Sequence, residues 1–134
     1  MLPATPEARK TAKRILLVDD SPTHRSLIQV FLAGHGYTFL EASDGRAALR
    51  LCETEDIDLV IVDLNMPEMD GAMFVQQLRS NLSLALRDLP VVVLTSERRA
   101  DKVTEVMSAG ADKLVRKPVS ESDLLEVVQS QLHL

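Results

Sequence analysis

Apolar and polar positions alternate along the chain in two distinct rhythms. Short apolar runs stand at Ile15 to Val18, Tyr37 to Glu41, Leu59 to Val62, Val91 to Leu94 and Leu114 to Val115. The runs without a polar residue, at 15–18, 59–62 and 91–94, suit strands covered on both faces. Between them the apolar residues fall three or four apart: Leu27, Ile28 and Phe31; Ala47, Ala48 and Leu51; Met73, Phe74 and Leu78; Val103, Val106 and Met107; Leu124, Leu125, Val128 and Leu132. That spacing predicts five helices, each burying one face. Start and stop residues agree. Ser21-Pro22 suits a capping hydroxyl followed by proline in the first turn, and Ser120 with Asp123 forms a capping box. Gly34, Gly36 and Gly110 fall where helices should end. Strand and helix alternating five times predict an α/β chain, an open (βα)5 parallel sheet with helices on both faces.

Length and composition leave room for one such domain. The 134 residues are 46% hydrophobic and only 3% aromatic, so the core is built from aliphatic side chains. Residues 1–13 hold two prolines and no periodicity, and read as a flexible amino-terminal leader or linker remnant before a domain over 14–134. Formal net charge is −5, but Arg9, Lys10, Lys13 and Arg14 against Glu7 make the start +3, leaving −8 on the rest. An acidic body argues against direct nucleic-acid binding. Cys52 is alone, which excludes an internal disulfide, and there is no His/Cys cluster for zinc. No apolar stretch reaches the roughly 18 residues of a membrane span, so no insertion and a cytoplasmic location are expected.

The chemistry lies where the strands stop. In a parallel sheet all carboxyl ends share one edge, and ligands bind there. Asp19-Asp20 follow the first run, Asp63 the third, Thr95-Ser96 the fourth and Lys117 the fifth. Carboxylates brought together repel one another, and a hard divalent cation with oxygen ligands relieves that repulsion. A lysine and a hydroxyl on the same rim supply the charge and the donor that a phosphoryl group needs. The set reads as a phosphoryl-accepting site with a carboxylate nucleophile.

VDDSP, DLNMPEMDG, LTSE and KP, in this order and spacing, resemble the receiver domain of two-component response regulators, over about residues 14–132. The resemblance implies a flavodoxin-like three-layer sandwich with strand order 2-1-3-4-5. It implies that Asp63 is the phosphorylated aspartate and that Asp19 and Asp20 form the acidic pair around Mg2+ (or Mn2+). Asn65 then offers its backbone carbonyl to the ion, Thr95 engages the phosphoryl group and moves inward on activation, and Lys117 pairs with a phosphoryl oxygen. The Lys117-Pro118 bond is cis in the family. Asn65 and Glu97 match the variable positions that steer the attacking water, and both being polar points to a short-lived phosphoaspartate. The implied partners are a sensor histidine kinase or histidine phosphotransfer protein, and a downstream protein or dimer mate on the face of the fourth helix, fifth strand and fifth helix. The implied chemistry is the domain's own phosphorylation and dephosphorylation, with no other substrate.

The sequence departs from the family at the switch position. Leu114 stands where an aromatic residue is usual, and Val119 where phenylalanine is common, so the usual aromatic readout is in doubt. Four further readings compete: a receiver excised from a hybrid kinase or larger regulator, a scaffold working without phosphorylation, a flavodoxin-like FMN carrier, and a phosphatase with an aspartyl-phosphate intermediate. Two aspartates after the first strand would repel the phosphate of an FMN carrier. A phosphatase with an aspartyl-phosphate intermediate wants a second aspartate where Asn65 stands. With no output domain after Leu134, the response is expected to pass through protein contacts. His24, His35 and His133 read as surface or packing residues, Cys52 as an inert thiol, and Arg98, Arg99, Lys102, Lys113 and Arg116 as a solvated basic face. Asp70-Gly71 reads as a turn and helix start.

Overall fold

The computed structural model describes residues 12–66 and 68–132. The leader up to residue 11, Pro67 and His133 therefore lie outside the described residues. Five strands form: β1 (Arg14–Val18), β2 (Thr38–Ala42), β3 (Leu59–Asp63), β4 (Val91–Thr95) and β5 (Lys113–Arg116). All pair in parallel, in the order β2-β1-β3-β4-β5, as the resemblance implies. The five longer helices are α1 (Pro22–Phe31), α2 (Gly45–Thr54), α3 (Gly71–Arg79), α4 (Ala100–Ala109) and α5 (Glu121–Leu132).

Alternate residues of each central strand face opposite sides, as the pleat demands. Leu16, Val18, Val60, Val62, Val91 and Val93 pack with Ala48, Phe74, Val75 and Val106, on the side of α2, α3 and α4. Ile15, Leu17, Leu59, Ile61, Val92 and Leu94 pack with Ile28, Leu32, Leu124 and Val128, on the side of α1 and α5. Every residue of β3 and β4 is buried, which is why these runs have no polar break until the strand ends. The edge strands β2 and β5 are half exposed, and their runs are correspondingly shorter and mixed in sequence.

The start signals and Gly110 act as read, whereas α1 stops at Phe31 with Leu32 as its cap, before Gly34 and Gly36. Ser21 Oγ accepts the His24 N–H at 3.2 Å, Asp70 caps α3 by accepting the Met73 N–H at 2.9 Å, and Ser120 accepts the Asp123 N–H at 3.1 Å. Gly110 ends α4 with φ at 117°, a conformation open to glycine and costly for other residues. One element was not legible: a four-residue helix at Leu84–Arg87 between α3 and β4. Arg79 braces it, donating to the carbonyls of Arg87 (2.9 Å), Leu89 (2.7 Å) and Gly110 (3.0 Å) and to Asp112 (2.9 Å).

Candidate functional site

Three of the strand ends carry the same local device. The Asp19 carboxylate (Oδ1) accepts the N–H of Ser21 at 2.9 Å, the Asp63 carboxylate (Oδ1) that of Asn65 at 3.1 Å, and the Thr95 hydroxyl that of Glu97 at 2.8 Å. In each case a short side chain bonds the backbone two residues on and folds the chain away from the sheet. The side chain thereby stays at the rim. β3 and β4 each run one residue past the apolar stretch, so Asp63 and Thr95 are themselves strand residues and buried.

Asp19, Asp20 and Asp63 each place a carboxylate oxygen within 4.8 Å of the others. Asp19 and Asp63 are buried, and Asp20 is exposed. Lys117 sends its Nζ to 3.2 Å from Asp63 Oδ2, across from β5. Burial lifts the Asp63 carboxyl above its ordinary range. Loss of hydration is the largest cause and nearby Asp19 adds to it, against the Asn65 N–H and the Lys117 ammonium. Three carboxylates and one ammonium leave an excess of negative charge that a divalent cation with oxygen ligands fits. Thr95 and Lys117 also line an open cleft of about 310 Å³ together with Ser96, Arg98 and Arg116. The Lys117-Pro118 bond is cis, as in the family.

Gly71 explains how Asp63 and the following loop fit. A Cβ there would lie 2.9 Å from the Asp63 carbonyl oxygen and 2.9 Å from Leu64 Cα, so glycine lets α3 start directly against the end of β3. The Gly71 N–H donates to the Leu64 carbonyl at 2.9 Å and ties the two together.

Not every expected residue points into the site. Asn65 is exposed, and what reaches Asp63 is its backbone N–H. Glu97 accepts the Arg99 N–H at 3.0 Å and so turns toward its own loop. Leu114 is half-buried against the core on the α2, α3 and α4 side. Of the basic face, Arg99 pairs with Asp101 at 2.9 Å and Lys102 with Glu105 at 3.7 Å, all well exposed, as a solvated face should. Arg116 differs, donating to the Glu97 carbonyl at 2.7 Å. Cys52 is buried and its thiol is pushed up to about 11, by burial and then by Glu53, which fits an inert thiol.

His24 corrects the reading of it as a surface or packing residue. Its Nδ1 contacts Asp19 Oδ2, inside the acidic site. The first turn of α1 follows Asp19-Asp20 directly, and helical side chains lean toward the amino terminus, so position 24 reaches back to the end of β1. His35 stays exposed, its ring 6.2 Å from that of Tyr37.

An open, five-stranded parallel sheet of order β2-β1-β3-β4-β5, with an acidic cluster and a lysine on its carboxyl edge, is a flavodoxin-like fold. The sequence model of the response regulator receiver domain matches residues 15–129, and the chain belongs to that family. It is 38% identical over 118 residues to the sensor histidine kinase GacS of Pseudomonas protegens, covering 87% of this chain and 13% of the kinase. It is 37% identical over 124 residues to the probable transcriptional regulator ycf27 of Cyanidium caldarium, covering 92% of this chain and 47% of the regulator. The chain thus spans less than half the length of these relatives. Among solved structures it resembles the chemotaxis protein CheY4 of Vibrio cholerae, with TM-score 0.81 and 33% identity over 90% of this chain and 98% of that one. It also resembles the receiver domain of a signal transduction histidine kinase from Syntrophus aciditrophicus, with TM-score 0.84 and 34% identity over 91% of each chain. Among the described residues no helix is long and apolar enough to cross a membrane.

Proposed function

We propose that this receiver accepts a phosphoryl group on Asp63 from a phosphohistidine of a sensor kinase or phosphotransfer protein. The observation that carries the reading is the meeting of Asp19, Asp20 and Asp63 within 4.8 Å, with Lys117 Nζ 3.2 Å from Asp63. An Asp63 carboxylate oxygen attacks phosphorus, the new O–P bond forms as the N–P bond breaks, and the electron pair leaves on the donor imidazole. Lys117 shifts from Asp63 onto a phosphoryl oxygen, and Thr95 donates its hydroxyl to another. Asp19, Asp20 and Asp63 with the Asn65 carbonyl are the groups to hold Mg2+ or Mn2+, which when bound neutralises the carboxylates and polarises the phosphoryl oxygens.

Output then starts at Thr95. The Glu97 peptide is held from both sides, its N–H by the Thr95 hydroxyl and its carbonyl by Arg116. Turning that hydroxyl to the phosphoryl group frees the Glu97 N–H, and Arg116 carries the change to the surface of α4, β5 and α5. This route needs no aromatic side chain at Leu114. A downstream protein or a dimer mate reads that surface, while Asn65 and Glu97 tune the lifetime of the acyl phosphate.

The test is incubation with acetyl phosphate and Mg2+, followed by intact-mass measurement. Native protein gains one phosphoryl mass, and Asp63→Asn gains none. A folded protein that stays unmodified in Mg2+ favours the scaffold reading instead.

A further inference from the structure

The Asp19 carboxylate is held at both of its oxygens. Oδ1 accepts the Ser21 N–H at 2.9 Å, and Oδ2 meets His24 Nδ1. The imidazole is itself placed by the helix cap, since the His24 N–H donates to Ser21 Oγ at 3.2 Å. Residues 19 to 24 therefore form one cross-braced loop with Asp19 at its centre. Asp19 is 6% exposed, whereas its neighbour Asp20 lies at the surface. Of the two carboxylates at this strand end, Asp19 is the buried one and carries both of these contacts.

We propose that His24 is a positioning residue of the cation site, orienting Asp19 through a hydrogen bond from Nδ1. The proposal rests on reading Asp19, Asp20 and Asp63 as that site. An ionised carboxylate has about four acceptor positions, so two hydrogen bonds leave lone pairs for an ion. His24 stands outside the three-carboxylate cluster and acts through Asp19 rather than as a ligand. Hydrogen bonds to a ligating carboxylate restrict its rotamers and fix the lone pairs that face the ion, and removing such partners typically weakens metal binding about 10–100-fold.

The proposal singles out one nitrogen atom. Asparagine can place its side-chain amide nitrogen where Nδ1 of histidine lies, while alanine has no donor. Calorimetric titration of Mg2+ and of Mn2+ into the ion-free protein compares the native chain with His24→Ala and His24→Asn, each checked for folding by circular dichroism. The expected result is a dissociation constant about 10-fold weaker for His24→Ala, and near-native binding for His24→Asn. Binding by His24→Ala as tight as native, or loss in His24→Asn equal to that in His24→Ala, overturns the proposal. A native chain that binds neither cation overturns the cation site itself. Native binding with an unaffected His24→Ala removes only the role of His24.

Discussion

Replacing Gly71 by alanine tests how closely the phosphoacceptor strand end is packed. The added Cβ would sit 2.9 Å from the Asp63 carbonyl oxygen, 2.9 Å from Leu64 Cα and 3.4 Å from Leu64 N. Carbon atoms in contact prefer about 3.5–4.0 Å, in a well of about 0.1–0.2 kcal/mol, and the repulsive wall inside it costs one pair at this separation about 2 kcal/mol before relaxation. All three neighbours are backbone. They are tied by the Gly71 N–H to Leu64 O bond at 2.9 Å and the Leu64 N–H to Leu94 O bond at 3.0 Å. Relaxed overpacking of this kind costs about 1–3 kcal/mol. Alanine's helix preference of up to about 1 kcal/mol offsets little at the first helical residue. The net expectation is a loss of about 1–2 kcal/mol, with slower phosphorylation because Asp63 moves with its carbonyl. Gly45 provides the control, since it also opens a helix. Its Cβ would meet the Met69 side chain, with Sδ at 2.7 Å and Cγ at 2.9 Å, and a thioether can turn aside. Gly45→Ala should lose less than about 0.5 kcal/mol. Urea unfolding followed by circular dichroism measures both at unchanged m. Equal losses, or a Gly71→Ala variant as stable as native, would refute the packing argument.

Further outcomes follow from single contacts. Arg79→Ala removes four hydrogen bonds that join α3, the Leu84–Arg87 turn and the α4–β5 connection, and should cost about 2–3 kcal/mol in the same assay. The raised Asp63 carboxyl means that the folded, ion-free protein holds this proton more tightly than the unfolded chain. Its contribution to stability is therefore fully present below the ordinary carboxylate value of 3.8 and is lost as pH rises through the raised folded value. Asp63→Asn should accordingly be more stable than native at pH 7 in the presence of a chelator, with the advantage shrinking toward pH 3.8, as thermal melts across that range would record. Cys52, buried with its thiol near 11, should react with a disulfide reagent at pH 8 at least about 100-fold more slowly in native protein than in urea.

Much of the fold and site could be read from sequence because both depend on strands buried on two sides. An uninterrupted run such as Leu59 to Val62 has few structures open to it, and the polar residue that ends it marks the sheet edge. Asp63 and Thr95 were visible for this reason. The turn at Leu84–Arg87 was not. Leu82, Leu84 and Leu86 alternate with polar or small residues, and the helix is braced from outside by Arg79, about which local pattern says nothing. His24 was missed because a histidine on an amphipathic helix looks like any surface residue. The usable signal was its place in the first turn after two aspartates, where side chains lean back to the strand end. The Arg116 bond to Glu97 joins the last residue of β5 to the loop after β4, 19 residues earlier, so only the folded geometry reveals it.

The central claim is that one particular carboxylate carries the phosphoryl group, and reduction of the acyl phosphate tests it at the level of a residue. Protein treated with acetyl phosphate and Mg2+, then reduced with borohydride, digested and sequenced by mass spectrometry, should carry homoserine at position 63 and unmodified aspartate at 19, 20 and 70. Homoserine at any of those three positions, with Asp63 recovered intact, would contradict the account.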